Sequence, residues 1–535
     1  MNNNDSVKQY KLNDYCIGFA ELKDNCWNYS IIANDPRVDI FNNEYNAGYI
    51  QGKLQGKKAI KAARNNTWNN TYLCDTSEPD KKFPRNFDPS KEELEAAQKC
   101  LTANYRYLLD WINKNEGNEV AIHIKRLLMR MHGIHMGAHF SGENSDDVQQ
   151  ICPNILDFNI TDLYLGYGDL QLSFGDIYFI NAQSDLFDAI SSSKESRHGL
   201  HKSDHCSAFV KRTADGDIYW THNTWAGFLC QSHTISYAIC GDFITQNSYC
   251  PGQFGSNMDF GFNGHGICFN ETTHRNSYAK SKTEGIWLFW RAAAAEMFAK
   301  DINDFYRHLT IDNTGTYLNG YMLIDANTKE TALIEMSYQR FVLFYSKDGK
   351  NLKVTDSILG EDKDGKSYDQ HLITPDYILG VNYPISKNVA YDLESTDNRP
   401  MRRIQFFNQI GGVKDMDTAK NLITYVDNDN PLSIYGRWDL GRGVTEYPKT
   451  IPDGAVDAKV YSANEVERLL KELKYIPNER GGKTAFWMLY GTPKIDGKPF
   501  IWSESQWAEY KKGQDKDMVP DRLEGAWNKT KLFMD

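Results

Sequence analysis

No Cys-x-x-Cys pair occurs among the ten cysteines of this 535-residue chain, at positions 16, 26, 74, 100, 152, 206, 230, 240, 250 and 268. Zinc ribbons and thioredoxin-like redox motifs are therefore disfavoured. The even count permits disulfides, and Cys240 and Cys250, either side of a Gly/Asn/Ser-containing segment, could be bridged; free buried thiols explain them equally well. No Lys/Arg-dense stretch appears and the net charge is −11, which argues against nucleic acid as a partner, because phosphate binding needs a basic footprint. No apolar run reaches the ~18 residues of a membrane span. The nearest, Gly285–Ala299, is broken by Arg291 and Glu296. Met1-Asn-Asn-Asn-Asp5 lacks the apolar core of a signal peptide, so the chain reads as cytosolic or as one whose signal has been removed. There is no repeat of fixed period and no low-complexity block. The Gly-rich stretch Gly252–Gly266 lacks the strand–GxGxxG–helix setting of a nucleotide site, and no cofactor is expected.

What is present is a globular composition. Hydrophobic residues make up 41% and charged residues 24%, enough to bury a core. Aromatics at 13% point to broad sheets. Residues 14–33 alternate like a strand pair. Lys57–Ala63 reads as helix, Ser90-Lys-Glu-Glu93 as a capping box opening a helix to about Asn113, and 118–140 as a further helix. Residues 184–205, rich in Ser, Lys and Asp, read as a loop or linker. Strands follow to about 272, then a helix over roughly 282–308, then antiparallel strands at Thr316–Asp325, Thr331–Tyr338 and Phe341–Tyr345. Ser462-Ala-Asn-Glu465 caps a helix to about Tyr475, and strands at 484–490 and 499–503 close the chain. Helices before and among antiparallel strands indicate an α+β fold.

The chemistry concentrates at Asp204-His205-Cys206-Ser207-Ala208-Phe209-Val210 and Tyr219-Trp220-Thr221-His222-Asn223-Thr224-Trp225. Cys206 ends the polar stretch and begins a strand. The turn Asp215-Gly216 folds the chain back and brings His222 and Asn223 near the thiol. A buried structural thiol is the commonest fate of a lone cysteine, but this layout suits a nucleophile with polar helpers on the returning strand. A thiol needs a base or a lowered pKa to attack at neutral pH. Two bases are available: His222, or the α-amine of Cys206 itself, of ordinary pKa ~7.7–8.0, if the chain is cut before it.

These two segments resemble the nucleophile region of the phospholipase B-like proteins, members of the N-terminal nucleophile (Ntn) hydrolase superfamily. Ala47–Gly52, Asn313-Thr-Gly-Thr-Tyr-Leu-Asn319, Asn430–Ser433 with Arg437–Leu440, Gly454–Lys459 and Pro499–Ser503 extend the resemblance in colinear order over about 47–503. The resemblance implies a four-layer αββα sandwich of antiparallel sheets. It implies autocatalytic cleavage of the His205–Cys206 bond, with fragments 1–205 and 206–535 staying associated as one domain. The thiol of Cys206 would then attack an acyl carbonyl while its own α-amine carries the proton. His222 is placed beside the nucleophile, flanked by Asn223 and Trp225. Asn313 is the first choice for an oxyanion-hole amide and Asn319 the reserve; Arg403 and Arg437 are candidates for orienting nucleophile or substrate, with ordinary ion pairs as the alternative. Related amidases carry Arg and Asp where this chain has His222 and Trp225, so no Asp is assigned to hold the amine. Leu318 stands where the family commonly has Asn.

The resemblance implies a lipid ester or N-acyl amide substrate, in a pocket lined by aromatics. A catalytically weak lipid-binding protein on the same fold is the alternative of a different class. A secreted or lysosome-like compartment follows from the resemblance, and a homo-oligomer is left open. Sequons at Asn4, Asn28, Asn65, Asn69, Asn159, Asn270 and Asn528 are as many as an Asn-rich chain collects by chance, and support glycosylation weakly. His132, His135 and His139 share a helix face, but no Cys or carboxylate completes a metal set, and no metal is expected there. His201 and His205 precede the nucleophile and could aid the cut or be plain loop residues. Glu271-Thr-Thr-His274 could line the pocket or simply end a strand.

Overall fold

A computed structural model describes residues 6–23, 26–73, 89, 91–141, 163–193, 206–230, 233–240, 242–248, 250–255, 259–274, 281–282, 284–356, 368–397, 399–440, 452–472, 483–511 and 519–533. The chain opens with strands β1 (Val7–Asn13), β2 (Cys16–Lys23) and β3 (Cys26–Ala33). Helices α1 (Ile40–Gln55), α2 (Lys57–Leu73), α3 (Lys91–Lys114), α4 (Glu119–His139) and α5 (Phe174–Ser193) follow. Next come β4 (Cys206–Arg212), β5 (Ile218–Gly227), β6 (His233–Ile239), β7 (Asp242–Ser248), β8 (Phe260–Asn263) and β9 (Ile267–Thr273). Helices α6 (Leu288–Phe298) and α7 (Ile302–Thr310) lead to β10 (Asn319–Asp325), β11 (Thr331–Met336), β12 (Phe341–Ser346), β13 (Lys353–Asp356) and β14 (Tyr377–Gly380). The remainder is α8 (Lys387–Asp392), α9 (Pro400–Gln409), α10 (Met416–Ile423), β15 (Asp453–Ala455), β16 (Asp457–Ser462), α11 (Ala463–Glu472), β17 (Lys483–Tyr490), β18 (Phe500–Ile501), α12 (Ala508–Lys511), β19 (Arg522–Leu523) and β20 (Asn528–Phe533).

Two large sheets result. The larger has eleven strands in the order β1-β2-β3-β6-β7-β8-β9-β10-β11-β12-β13; the smaller runs β14-β4-β5-β16-β17-β20, with β15 also on β5. β4 and β5 lie over β9, β14 over β10, and β20 over β3 and β6. Helices cover the outer faces: α1 on β1–β3 and β6, α6 on β7 and β8, α7 on β10, and on the other side α9 on β14, α10 on β4, β5 and β16, and α11 on β5 and β16. The contacts are those compatible with a layered sandwich. With both faces covered, β5 is buried almost end to end, as expected of a strand inside two layers. Aromatic rings knit the sheets together: Phe260 stacks on Trp220 at 5.3 Å and meets Phe486 edge-on at 5.1 Å.

Several expectations change. The sheets are not wholly antiparallel, because β3 pairs with β6 in parallel. The linker beginning at 184 is helix as far as Ser193. Its acidic residues read as loop, yet Asp185 is a buried acceptor for the backbone N–H groups of Leu288 and Phe289 at 2.8 and 3.1 Å, capping α6 from outside. Residues 194–205, with His201, His205 and the bond to be cut, lie outside the described residues. The helix expected over 282–308 is two, separated where the Asp301 side chain caps α7 by accepting from Asp304 N at 2.8 Å. The strand expected from 316 starts at Asn319, and that of 499–503 is Phe500–Ile501 followed by a 3-10 turn. Of Tyr45–Gly56, unassigned from sequence, Tyr45–Gln55 belongs to α1 and Gly56 caps it, and β1 precedes the expected strand pair. Cys240 and Cys250 are free thiols. Ser90, Asn4 and Asn159 lie outside the described residues. Asn28 and Asn270 are buried, which closes those two sequons to a glycan. Among the described residues no helix is long and apolar enough to cross a membrane.

Candidate active site

The β4–β5 hairpin builds the site. Gly216 closes it at φ +85°, a conformation only glycine adopts freely. The register pairs Cys206 with Thr224, Ser207 with Asn223 and Ala208 with His222. Side chains alternate along a strand, so Cys206, His222 and Thr224 share the face toward the larger sheet. Ser207, Asn223 and Trp225 take the other face. There the Asn223 amide donates to the carbonyls of Ile423 and Ile434, both at 3.0 Å, and accepts from Ser207 N at 3.0 Å. Trp225 donates to Ile434 O at 3.4 Å, and the Arg399 guanidinium lies 3.9 Å over its ring. Both hold the hairpin in place, and the thiol meets the Trp225 backbone.

On the inner face the thiol, the His222 ring and the Asp259 carboxylate converge. One ligand-type atom from each lies within 4.8 Å of the others, and all three residues are buried. Cys206 Sγ is 3.9 Å from Asp259 Oδ2. Asp259 is held at φ +54° ahead of β8, an uncommon conformation for a residue with a Cβ. Its backbone carbonyl accepts from Glu271 N at 3.1 Å. Electrostatically the cluster favours neutral groups. Burial, then the Asp259 and Glu271 charges, push the thiol well above its ordinary pKa. Burial, then Lys459, push His222 well below its own. Burial, then Glu271, push Asp259 well above the carboxylate range. The Glu271 backbone approaches the His222 ring and opposes its downward shift, but neither ring nitrogen reaches hydrogen-bonding geometry.

The backbone of Cys206 is cradled as well. Its N–H donates to Asn382 Oδ1 at 3.2 Å. Its carbonyl accepts from Arg402, whose Nη1 also reaches Asn382 Oδ1 at 2.9 Å and Ser207 Oγ at 3.1 Å. Asn382 in turn donates to Thr273 O at 2.7 Å. Beside His222, Lys459 Nζ bonds Asp457 Oδ1 at 2.7 Å and Thr224 Oγ1 at 2.8 Å. Glu271 and Thr273, read as a pocket wall or a strand end, are thus part of the site.

Other sequence candidates lie elsewhere. Asn313 accepts from Arg291 and Gly315 N and donates to Ser337 O, so both of its amide heavy atoms already have protein partners. Asn319 is different: it is fully buried beside Thr273 on β10, and neither amide atom has a partner. Arg403 pairs with Asp369 and Asp397 at 2.9 and 3.3 Å, half-exposed. Arg437 forms a two-pronged pair with Asp439 at 3.0 and 2.8 Å. His132 stacks on Phe174 at 3.9 Å while His139 is exposed, so that trio does not converge.

Sequence reading missed Asp259, Asn382, Arg402 and Lys459. Arg402 had a signal: on α9 it shares a face with Phe406, both buried, whereas Arg403 turns off that face. Lys459 faces His222 across β16–β5, inside a segment quoted only for its resemblance. Asp259 and Asn382 arrive from distant loops with no local pattern.

Two cavities flank these elements. One, of about 30 Å³, is lined by Asn181, Ser184, Asp259, Glu296, Tyr317 and Tyr321 among others; it has room for about one water. A larger cleft of about 480 Å³, with Tyr219, Lys420, Arg468, Trp487 and Lys529, shares no residue with the cluster.

Comparison with known proteins decides the family. The family model described as Phospholipase B matches residues 19–519. The chain belongs to the phospholipase B family. Within the family it is 25% identical over 237 residues to "Phospholipase B-like protein B" of Dictyostelium discoideum, covering 42% of this chain and 40% of that one. It is 23% identical over 327 residues to "Phospholipase B-like protein G" of the same organism, covering 56% and 52%. With "Phospholipase B" of Crotalus adamanteus it shares 24% over 376 residues, 61% and 63% of the two chains. The aligned part thus spans from two fifths to under two thirds of the length of these three family members.

Proposed function

We propose that this chain is an acyl hydrolase of the Ntn type, with an αββα fold, whose nucleophile is the thiol of Cys206 after the chain is cut before it. The carrying observation is the cradle around that one residue: its N–H on Asn382, its carbonyl on Arg402, its sulfur facing His222 and Asp259. A plain buried cysteine does not require all three. For the cut, Cys206 sulfur adds to the carbonyl carbon of His205. The peptide C–N bond breaks as nitrogen takes up a proton, giving a thioester and a free α-amine. Water hydrolyses the thioester and restores the thiol. The two pieces, 1–205 and 206–535, stay together.

In turnover the α-amine takes the thiol proton and the sulfur attacks the acyl carbonyl. The alcohol leaves with that proton, and water admitted beside Asp259 releases the fatty acid. Asn382 Oδ1, the acceptor of Cys206 N, holds the freed amine, and Asp259 faces the sulfur. The unpaired, buried amide of Asn319 suits an oxyanion donor, an interaction typically worth ~2.7–4 kcal/mol in the transition state. His222, neutral in this setting, serves as a hydrogen-bonding partner, not as the base. Family membership supports a phospholipid or related lipid ester as substrate, and a secreted or lysosome-like compartment by the same resemblance. Amides share this chemistry. Wild type and Cys206→Ala are compared on phospholipid, lysophospholipid and N-acyl amide substrates. Fatty acid release by the cut wild type and none by Cys206→Ala is expected; equal release by both would refute the reading.

A further inference from the structure

Cys206, His222 and Asp259 are a sulfur, an imidazole and a carboxylate with ligand-type atoms all within 4.8 Å of one another. We propose that they form a binding site for a borderline-soft divalent cation of the zinc class, and that its occupancy reversibly shuts the nucleophile. The second half rests on the nucleophile reading above; the first does not. Three protein ligands plus an open position is the pattern of an accessible zinc site. The S, N, O donor set suits zinc or cobalt, and disfavours calcium and magnesium, which want oxygen. The fully buried His222 ring points to a ligand independently: the Glu271 backbone approaches it, but neither ring nitrogen reaches hydrogen-bonding geometry with a protein atom. An unpartnered buried imidazole costs stability and a metal bond would remove that cost. A water-sized cavity borders Asp259, with Cys206 and His222 outside its lining, so a fourth ligand would reach the ion from the Asp259 side.

The distances ask for a small adjustment. Bond lengths of 2.0–2.3 Å to a tetrahedral ion put ligand atoms roughly 3.3–3.8 Å apart, so the trio closes by about 1 Å. Glu271 and Glu296 lie nearby and favour a cation. Lys459 opposes it, but is paired with Asp457. Binding replaces the protons of the thiol and of the Asp259 carboxyl, which pass to solvent, and engages the sulfur lone pair needed for attack. No electron transfer is involved.

The test uses the full chain after dialysis against a chelator. Cobalt(II) is titrated in, bound metal is counted, and the same samples are run on a denaturing gel and assayed for lipid hydrolysis. The expected result is one cobalt per chain, a thiolate-to-cobalt charge-transfer band in the near ultraviolet, displacement by zinc, and loss of hydrolysis restored by chelator. The band should vanish in Cys206→Ala, and affinity should fall at least tenfold in Asp259→Asn, with folding checked by circular dichroism. An unchanged band in both variants, or no band at millimolar cobalt, overturns the site. Metal bound by a chain that never cuts upholds the site and overturns its shut-off role. A chain that cuts before Cys206 yet binds no metal overturns the site and leaves the nucleophile reading standing.

Discussion

Arg402 and Arg403 are neighbours with opposite surroundings, and they separate site from surface at the residue scale. Arg402 is fully buried and is shared among Cys206 O, Val381 O, Asn382 and Ser207. Charged hydrogen bonds are worth ~1.5–3 kcal/mol each and buried groups left unpaired cost more. Arg402→Ala should lower the melting temperature by several degrees and cut hydrolysis at least a hundredfold. Arg403→Ala removes a half-exposed pair, worth about 1 kcal/mol or less, and should stay near wild type. Thermal melts and kcat/KM on the pair decide this; equal effects would contradict the assignment. Asn319 makes the opposite kind of prediction. Its buried amide is unpaired, so Asn319→Leu should leave stability equal or higher while lowering kcat by ~10²–10³, measured by melt and initial rates. That Cys206 and His222 share a face was legible because strand alternation fixes which side chains lie together. Arg402 was legible in principle, since helical spacing puts it with Phe406. Asn382 was not, because its role depends on a loop 176 residues from Cys206.

Two contacts between elements govern the surroundings of the site. α1 and α4 cross at glycines on both helices. A Cβ on Gly48 would lie 2.0 Å from Arg130 O, and one on Gly133 2.1 Å from Tyr45 O. Backbone cannot yield that distance, so Gly48→Ala should cost ~1–3 kcal/mol or more, read from denaturant midpoints. The same interface carries the buried ion pairs of Arg126 and Arg130 with Glu44. The second contact anchors the loop bearing Asn382 to β11: Glu335 accepts from Ile385 N and Ser386 N at 2.6 and 2.8 Å. His274 Nε2 is 3.7 Å from it, but the two do not form an ion pair near neutrality. Burial pushes Glu335 up to about 8 and His274 down to about 3. Below the unfolded value of 4.5 the carboxyl is protonated in both states. Between 4.5 and about 8 the folded chain keeps a Glu335 proton that the unfolded chain has lost, so Glu335 contributes a fall of about 1.4 kcal/mol per pH unit, which below 6.5 is offset by the opposite slope of His274. Glu335→Gln should remove that slope. Denaturation at pH 5, 6, 7 and 8 checks it; parallel profiles for variant and wild type would contradict the raised value. Glycine spacing in Ala47–Gly52 was visible in the sequence, but its partner on α4 was not. Likewise α5 hid behind its polar end, because Asp185 serves a neighbouring helix and breaks the apolar rhythm.

At the scale of the whole molecule, the proposed break falls inside one cooperative structure. β1–β3, from the proposed first fragment, join the sheet of β6–β13 through the β3–β6 pairing. Ser30 Oγ on β3 donates to Leu532 O at 3.2 Å at the far end of the chain. Cutting before residue 206 leaves all of these contacts intact. The pieces should therefore co-elute under native conditions and separate only on unfolding. The overall α+β class was legible because helix and strand periods are local. The parallel junction was not, because it pairs segments some two hundred residues apart. The most direct test is Edman sequencing of the larger fragment from an active preparation. Cys206 as its first residue is the predicted result, with Cys206→Ala remaining a single chain; an active protein whose Cys206 is still joined to His205 would contradict the account.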